Sequence, residues 1–341
     1  MIDYRTFRNA DPPELRRLWH VCELGRGAAT GFDADVFESV VFCQPYFDRA
    51  GVILAVDSDR VVGYLHAGFG PNEAQTSLDQ HRGIICMVMV DPSYRQRGIG
   101  TRLVQLGEEY LLAAGATSVQ AGPAAPNDPF YFGIYGGSQP AGFLASDAAA
   151  DPFFQKLGYV PISQRLVFQR QLQDRSSPGG LRLMGVRRST ELAIPKDPTP
   201  RSWWWSTRPG RLDSLEMALV AKSGGTTLAS VTVVGLDFYV ARWQQRGIGL
   251  MDLWVGEQFR RKGYGQALLV EVCRRVREEM ISLAEAHTDA QDSAAIKVLK
   301  SAGFTQIDTG TVYHKPLPTR LVIRSPGESG SPDATTETFL P

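Results

Sequence analysis

The chain has 341 residues, enough for about two domains, and 43% of them are hydrophobic, which supports a core in each. Its formal net charge is zero, so the composition favours neither a nucleic-acid partner nor binding to an anionic membrane. The N-terminus lacks the apolar core of a signal peptide, and no apolar run approaches a membrane span in length. The four cysteines lack metal-binding or redox spacing, so we expect no metal site and a reducing, cytoplasmic location.

The first part of the chain predicts an alternation of strands and helices. A continuous apolar run, Ile84 to Val90, is typical of a strand buried on both faces. The elements predicted before it are a strand at 2–7, a helix at 11–23 with Asp11 as its cap, a helix at 34–42, and a hairpin of strands at 51–56 and 60–69.

The segment from Val90 to Leu103 joins this strand to an amphipathic helix through a basic loop that contains Gly98 and Gly100. The same arrangement recurs from Val255 to Leu268, after a second strand at 250–255. Such a junction points backbone N–H groups and the positive end of a helix dipole at one spot, and glycine lets an anion approach the backbone. The sequence therefore predicts two phosphate-binding loops.

Other phosphate-binding motifs do not fit these loops. A Walker loop requires Gly-Lys-Ser or Gly-Lys-Thr, which neither copy has. A dinucleotide-binding fingerprint requires a third glycine, where this chain has Leu103 and Leu268. The alternative that stays open is an ordinary strand-to-helix turn in which glycine only permits tight packing.

The rest of the chain repeats this order in a shorter form. A linker rich in Ser, Pro and Gly is predicted at 173–180, and the composition of 319–341 predicts a disordered tail. Three adjacent tryptophans at 203–205 cannot all face one core, so we expect at least one to meet the other repeat, a partner or a ligand, with packing between the repeats as the favoured case. The remaining predicted elements are a strand at 118–121, a long aromatic-rich loop at 122–149, a helix ending at Gly158, a strand at 162–171, a hairpin at 215–222 and 227–239, a strand at 281–286, a helix from Asp292 to Gly303, and a strand at 306–316.

The pattern Arg-x-x-Gly-x-Gly occurs at 95–100 and at 260–265. Both copies resemble the acyl-CoA pyrophosphate loop of the GNAT superfamily of N-acetyltransferases, and a Gly-aromatic element follows each copy. The resemblance covers most of residues 1–318, in a tandem arrangement similar to that of mycothiol synthase. It implies an α/β fold with two tandem GNAT-like acyl-CoA N-acyltransferase domains, each a mixed central sheet flanked by helices. Below, residues 1–172 are the first repeat and residues 181–318 are the second repeat.

The resemblance also implies an activity. It predicts an acetyl-CoA-dependent N-acetyltransferase that transfers the acetyl group directly, in a ternary complex, to an amine of a small molecule or of a protein. The residues implied to bind acetyl-CoA are Val88, Met89, Val90, Arg95, Gln96, Arg97, Gly98, Ile99, Gly100 and Thr101 in the first repeat, and Leu253, Trp254, Val255, Arg260, Arg261, Lys262, Gly263, Tyr264, Gly265 and Gln266 in the second.

Transfer to an amine requires the ammonium group to lose a proton. A lysine-like amine has a pKa of about 10.4, so a base is useful at neutral pH. Asp252, in an otherwise apolar strand, is the first candidate base, with a hydrogen bond to the neighbouring hairpin as its structural alternative. His287, at the end of the fifth strand of the second repeat, is the second candidate.

Two features leave the function open. Family members often carry a tyrosine that protonates the leaving thiolate, and here Phe154 and Leu299 stand at that position. The long loop lies near the acceptor in the family, so Tyr131 and Tyr135 are predicted to bind substrate, or else to form an aromatic core that packs the repeats together. The alternatives to an enzyme are a non-catalytic acyl-CoA-binding or sensing protein, and a structural repeat with one vestigial half.

Overall fold

The computed structural model describes residues 1–173, 178–195, 201–209 and 212–318, so the predicted tail at 319–341 lies outside the described residues. A π-helical turn, Glu38–Phe42, continues the second helix. The elements of the first repeat are the strands β1 (Ile2–Thr6), β2 (Val52–Asp57), β3 (Arg60–Pro71), β4 (Leu78–Val90), β5 (Ser118–Ala121), β6 (Phe143–Leu144) and β7 (Val160–Gln171), and the helices α1 (Pro12–Cys22), α2 (Asp35–Phe37), α3 (Ile99–Ala113) and α4 (Ala150–Lys156).

The second repeat opens with an additional helix and then follows a similar order, with a shorter helical insertion after its first strand. No helix in the described part of the chain is long and apolar enough to cross a membrane. The elements are the strands β8 (Thr190–Ala193), β9 (Ser214–Ala221), β10 (Thr227–Gly235), β11 (Gly247–Val255), β12 (Leu283–Asp289) and β13 (Thr305–Pro316), and the helices α5 (Leu181–Ser189), α6 (Trp203–Thr207), α7 (Val240–Trp243), α8 (Tyr264–Glu278) and α9 (Ser293–Ser301).

The predicted first helix is confirmed, but its predicted cap is wrong. Asp11 precedes α1, yet its side chain accepts no hydrogen bond from the first turn of the helix. Its carboxylate instead accepts two bonds from Arg5, at 2.7 and 2.9 Å, and one from the backbone N–H of Arg8, at 2.6 Å. The reason is that the Asp11 backbone is itself helical, whereas a capping residue has extended dihedral angles that turn its oxygen toward the helix amides.

The strands form one mixed sheet in which the repeats exchange their last strands. From edge to edge the order is β1, β2, β3, β4, β5, β13, β7, β12, β11, β10, β9, β8, with β6 paired to β13. The last strand of the first repeat, β7, pairs with β12, and the last strand of the second repeat, β13, lies between β5 and β7. Strand pairing is continuous across both repeats and therefore does not separate them into two sheets. The domain boundary at 173–180 stays a prediction.

The tryptophan segment also joins the repeats. Trp204 is fully buried, and its indole N–H donates to the carbonyl of Pro126 in the first repeat at 2.8 Å. The expectation that at least one of these tryptophans meets the other repeat is therefore confirmed. Beside it, the buried side chains of Arg208 and Asp128 form an ion pair across the same boundary.

The exchanged strand β13 crosses the long loop of the first repeat at Gly310. A Cβ atom on Gly310 would lie 1.6 Å from the carbonyl oxygen of Ala141, which belongs to the backbone and cannot rotate away. Glycine is thus required for close approach at this crossing. The sequence alone does not reveal this requirement, because Ala141 and Gly310 are far apart in the chain.

We predict that Gly310→Ala lowers the free energy of unfolding by about 2–3 kcal/mol, because it overpacks a backbone crossing. The measurement is urea-induced unfolding followed by circular dichroism. Gly185→Ala is the matched control, since a Cβ there meets no atom within 4 Å and the residue lies inside α5. The control should be neutral or stabilised by up to about 1 kcal/mol. Equal effects of the two changes would contradict the crossing.

The core of the first repeat contains a buried polar network among aromatic rings. The hydroxyl groups of Tyr64 and Tyr131 lie 2.6 Å apart, and Nδ1 of His66 lies 3.0 Å from the Tyr131 hydroxyl. All three side chains are fully buried, and Nε2 of His66 has no hydrogen-bond partner among the described residues. Burial lowers the pKa of His66 to about 3, so the ring stays neutral in the folded protein.

This network predicts a pH dependence of stability. An unfolded histidine gains a proton below a pH of about 6.5, whereas folded His66 does so only near pH 3, so stability falls as the pH drops through this window. Between pH 7 and pH 4 the wild type should lose about 3 kcal/mol more than His66→Gln, whose amide still offers Tyr131 a partner. Urea unfolding at both pH values measures the difference, and parallel losses in the two proteins would refute it.

Candidate functional site

The first glycine loop is held rigidly between β4 and α3. Its backbone takes left-handed conformations at Gln96 (φ 62°) and Gly98 (φ 79°), and α3 begins directly after Gly98. Nε of Arg95 donates to the carbonyl of Val90 at 3.0 Å, and its guanidinium donates to the carbonyl of Cys22 at 3.2 Å. Arg95 thus fastens the loop to the strand and to α1. The space above Gly98 is open, since a Cβ there would meet no atom within 4 Å.

The second loop repeats this geometry before α8. Gly263 has φ 91° and precedes the helix, and Nε of Arg260 donates to the carbonyl of Val255 at 3.3 Å, as Arg95 does in the first loop. Helix α5 adds a further cation here, because the guanidinium of Arg182 contacts the carbonyl of Arg261. A negatively charged ligand at this loop would therefore meet positive charge from two elements.

Each loop follows a strand that loses its parallel neighbour. Pairing between β4 and β5 runs from Arg82 to Ile85 of β4, and pairing between β11 and β12 runs from Gly247 to Leu250 of β11. Both central strands then continue for five residues toward their loops. Backbone groups left unpaired in this way can bind an extended ligand by strand addition, which suits the amides of pantetheine.

A cavity of about 490 Å³ opens between the end of β4, the first loop and α4. All the CoA-binding residues predicted in the first repeat line it, except Arg97. Arg97 instead donates to the carbonyl of Ser93 at 3.0 Å and stacks on the ring of Tyr94 at 4.9 Å. The structure thus brings the remaining nine predicted residues together around one space.

Sequence analysis missed the two carboxyl groups that line this cavity, those of Glu23 and Asp147. Burial raises the pKa of Asp147 above its ordinary value. The signal was present in the repeat: Asp147 precedes Gly158 by the same number of residues as Asp292 precedes Gly303. Aligning the two repeats on these glycines would therefore have marked Asp147 as well as Asp292.

No hydroxyl group stands at the position of the family's tyrosine acid. Phe154 is buried and stacks on Phe143 at 4.7 Å, and Leu299 is buried in the second core. Two tyrosines that pack against Phe154 are engaged in other hydrogen bonds. Tyr159 donates to Glu108 and Tyr313 donates to Asp151, each at 2.8 Å, and both rings are buried. Burial and these carboxylate partners raise the pKa of both phenols.

A larger groove of about 1010 Å³ lies between the repeats. It is walled by Pro126 of the first repeat, by Arg201 and Trp205 beside α6, and by Asp252 and Trp254 of β11. The strand carries a bulge here, because Met251 pairs with Thr232 and Trp254 pairs with Ser230. Asp252 stands in the bulge with φ 54°, and Trp254 is 48% exposed. We name this space the inter-repeat groove.

The candidate base Asp252 faces this groove, but its partners differ from the alternative drawn from the sequence. Its carboxylate accepts a hydrogen bond from the indole N–H of Trp205 at 2.7 Å and pairs with Arg201 at 3.4 Å. Both partners come from the segment around α6 and not from the neighbouring hairpin. The side chain keeps 35% exposure, so Asp252 is open to a ligand in the groove.

The second candidate, His287, lies in a different place. Its side chain is 2% exposed, and Nε2 lies 3.1 Å from the buried carboxylate of Glu285. Glu285, which sequence analysis missed, also accepts bonds from the backbone of Ser138 at 2.8 Å and from Gln169 at 2.7 Å. His287 and Asp252 therefore do not share a site, and His287 belongs to a closed polar cluster where the repeats meet.

Tyr131 and Tyr135 do not line an open acceptor surface. Their exposures are 0% and 1%, and both rings pack against Trp19 of α1. The hydroxyl of Tyr131 is taken up by Tyr64 and His66. The prediction that these tyrosines bind substrate finds no accessible surface here, because the long loop folds inward and places its aromatic rings in the first core.

Of the CoA-binding residues predicted in the second repeat, Leu253 and Trp254 line the inter-repeat groove. Val255 and Tyr264 pack against the core of the second repeat, and Gln266 donates to the carbonyl of Ser301 at 2.7 Å. The second loop therefore lies directly beyond the groove, at the end of the strand that carries Asp252.

Comparison with known proteins identifies the family. The acetyltransferase (GNAT) family model matches the chain twice, at residues 15–133 and 186–304. The chain therefore belongs to the GNAT acetyltransferase family and carries two copies of its domain. Family membership supports acyl-CoA-dependent N-acetyl transfer as the general activity, with an amine-bearing acceptor.

Solved structures share this fold. One is a GCN5-related N-acetyltransferase from Sphaerobacter thermophilus, with 18% identity, a TM-score of 0.59, and coverage of 92% of this chain and 95% of that one. Another is a tandem GNAT protein from the clavulanic acid biosynthesis pathway, with 16% identity, a TM-score of 0.65, and coverage of 94% and 100%. A third is the glucosamine N-acetyltransferase region of a fungal multi-domain GH3 β-N-acetylglucosaminidase, with 14% identity, a TM-score of 0.67, and coverage of 92% and 38%.

The two loops predict two CoA-binding events that can be removed one at a time. Thr101 and Gln266 occupy the same position in the first turn of α3 and α8. Thr101→Glu or Gln266→Glu should weaken CoA binding at its own loop about tenfold, because a carboxylate beside a diphosphate costs roughly 1–2 kcal/mol. Calorimetric titration with CoA measures both events.

The control for these variants is their thermal stability. A glutamate in the first turn suits the helix dipole, so the thermal unfolding temperature of Thr101→Glu should be unchanged or slightly raised. Gln266→Glu also loses the bond to the Ser301 carbonyl, so its free energy of unfolding should fall by about 1 kcal/mol. Substitution of Gly98 or Gly263 is less suitable, since any side chain is strained at their positive φ. Two unaltered binding events in both variants would exclude the loops as diphosphate sites.

Proposed function

We propose that the chain transfers the acetyl group of acetyl-CoA directly to an amine of a small molecule or protein, in a ternary complex, and that the second repeat performs the transfer. The observation that carries this proposal is the exposed end of β11. There Asp252 and Trp254 face a groove of about 1010 Å³. Both residues lie in the last four residues of β11, directly before the second glycine loop. A carboxylate, an acceptor groove and a donor loop on one strand are the parts that amine acetylation needs.

The first repeat lacks an equivalent open face in the described part of the chain. Met87 and Met89 stand where β11 has Asp252 and Trp254, and they are 1% and 2% exposed. Helix α1 and the long loop pack against them in the first core. The cavity beside the first loop can take a donor, but the other face of β4 leaves no room for an acceptor.

The proposed mechanism divides the work among residues of the second repeat. Acetyl-CoA, when bound, supplies the thioester carbon that the amine attacks. Asp252 accepts the proton of the ammonium group, directly or through a water molecule, because the amine attacks only when neutral. A backbone N–H near Val255 donates to the thioester oxygen as negative charge develops on it. The C–N bond forms as the C–S bond breaks, and the CoA thiolate leaves readily because thiols have a pKa of about 8.5.

The difference between the two central strands favours a second role for the first repeat. Its cavity surrounds nine of the residues predicted to bind acetyl-CoA, whereas its acceptor face is filled by packed side chains. We infer that this repeat holds an acyl-CoA molecule without transferring its acyl group. This corresponds to the binding or sensing alternative, confined to one half of the chain.

Asp252→Asn tests the transfer step. Loss of a general base typically lowers kcat about 10²–10⁴-fold, and we expect a fall of about 10²-fold against a primary alkylamine. Asparagine tolerates the positive φ of this position and can still accept the Trp205 bond, so the fold should survive. The measurement is release of CoA thiol at saturating acetyl-CoA.

Asp289→Asn is the matched control for this variant. Asp289 is also a strand carboxylate paired with an arginine, Arg165, at 3.6 Å, and its side chain has a similar exposure of 33%. It should retain wild-type kcat. Retention of kcat within about twofold by Asp252→Asn would remove Asp252 from the chemistry.

A further inference from the structure

One of the residues that line the inter-repeat groove, Arg201, already places a cation beside Asp252. The guanidinium of Arg201 lies 3.4 Å from the Asp252 carboxylate and 3.5 Å from the Glu216 carboxylate. It also donates to the hydroxyl of Thr232 at 2.8 Å, and it stacks over the indole ring of Trp205 at 4.4 Å. Two carboxylates, a hydroxyl and an aromatic face together form a site for a positively charged group.

The environment of this site shows that the cation is loosely held. Both carboxylate distances exceed the usual length of a charge-assisted hydrogen bond, and the Arg201 side chain is 23% exposed. The acidic partner on β9 is more fixed, since the Glu216 side chain is only 8% exposed. The pair that Arg201 makes with Asp252 keeps access to solvent, and such pairs contribute little to stability, so another cation can replace Arg201 there.

We propose that the groove takes a cationic amine acceptor in the place now held by the Arg201 guanidinium, so that Arg201 competes with the acceptor and must move out before transfer. This inference rests on the proposed function, because it takes Asp252 as the group that receives the ammonium proton. To the proposed function, the inference adds the chemical class of the acceptor and identifies Arg201 as an internal competitor for the acceptor site.

The charges of the site define the acceptor further. Once Arg201 has moved, the partly exposed Asp252 carboxylate presents its negative charge to the incoming amine. A carboxylate next to the amino group, as in an α-amino acid, would be repelled by it. The favoured acceptors are therefore alkylamines or polyamines without a neighbouring carboxylate, and the exposed ring of Trp254 offers a surface for their hydrocarbon part.

Two other roles of Arg201 give different results in the same experiment. If Arg201 stays in place and binds a carboxylate of the acceptor, its removal should raise KM, and amino acids should be preferred. If Arg201 only fastens the segment next to α6 to the sheet, its removal should lower stability and leave KM unchanged.

The test compares Arg201→Met with the wild type, using n-butylamine as acceptor. An internal cation that fills the site about nine-tenths of the time reduces apparent affinity about tenfold, so KM should fall about tenfold in the variant. Butylguanidine, which resembles the arginine side chain, should inhibit the variant competitively and about tenfold more strongly than the wild type. Arg201→Lys keeps a cation on the same segment and should remain close to the wild type.

Arg274→Met is the matched control, since Arg274 also bridges two carboxylates, Glu271 at 3.0 Å and Glu278 at 2.8 Å, on the surface of α8. Its KM should not change. An unchanged or raised KM in Arg201→Met, with measurable turnover, would contradict the inference that Arg201 competes with the acceptor. The proposed function would remain intact.

Equilibrium binding separates this inference from the transfer step. Butylguanidine is titrated into each protein without acetyl-CoA, and tryptophan fluorescence reports binding beside Trp205 and Trp254. Tighter binding of butylguanidine to Arg201→Met supports the cation site even if no amine is acetylated. Absence of acetylation would contradict the proposed function and not this inference. No difference in binding between the variant and the wild type overturns the inference.

Discussion

The early end of parallel strand pairing is the constraint on which both halves of this protein depend. In each repeat the central strand pairs with its parallel neighbour over four residue pairs and then continues to a glycine loop paired on its antiparallel side only. The unpaired backbone and the helix N-terminus behind the loop together provide amides for a pantetheine chain and a diphosphate. Because this arrangement is made of main chain, it persists in both repeats although most side chains differ.

The repeats differ in what covers the other face of the central strand. In the first repeat, α1 and the long aromatic loop fill that face, and Met87 is buried in the packed core. In the second repeat the corresponding insertion is the short helix α6, so Asp252 remains open to a groove. The exchanged strands and the buried pair of Asp128 and Arg208 hold the first repeat against this groove. The groove wall thus requires both repeats.

Individual residues show how far the candidate site could be predicted. The glycine loops and the exposure of Asp252 toward a ligand space agree with positions chosen from local pattern alone. Asp147 could have been found by aligning the two repeats, whereas Arg201 could not, because it lies in a segment without periodicity and gains meaning only from Glu216 and Asp252. The position of the long loop in the family predicts that Tyr131 lies at the acceptor, but here its ring is buried by the hydrophobic effect and its hydroxyl bonds to that of Tyr64.

The sequence by itself determined the family, the two strand–loop–helix units and most of their helices and strands, because these follow from residue periodicity and from glycine within short segments. Only the tertiary structure decided that β7 and β13 change places, that His287 is enclosed beside Glu285, and that Arg201 fills the site beside Asp252. These features depend on contacts between residues far apart in the chain. Local sequence patterns do not distinguish between the alternative arrangements, whereas packing and charge pairing in three dimensions stabilise one of them.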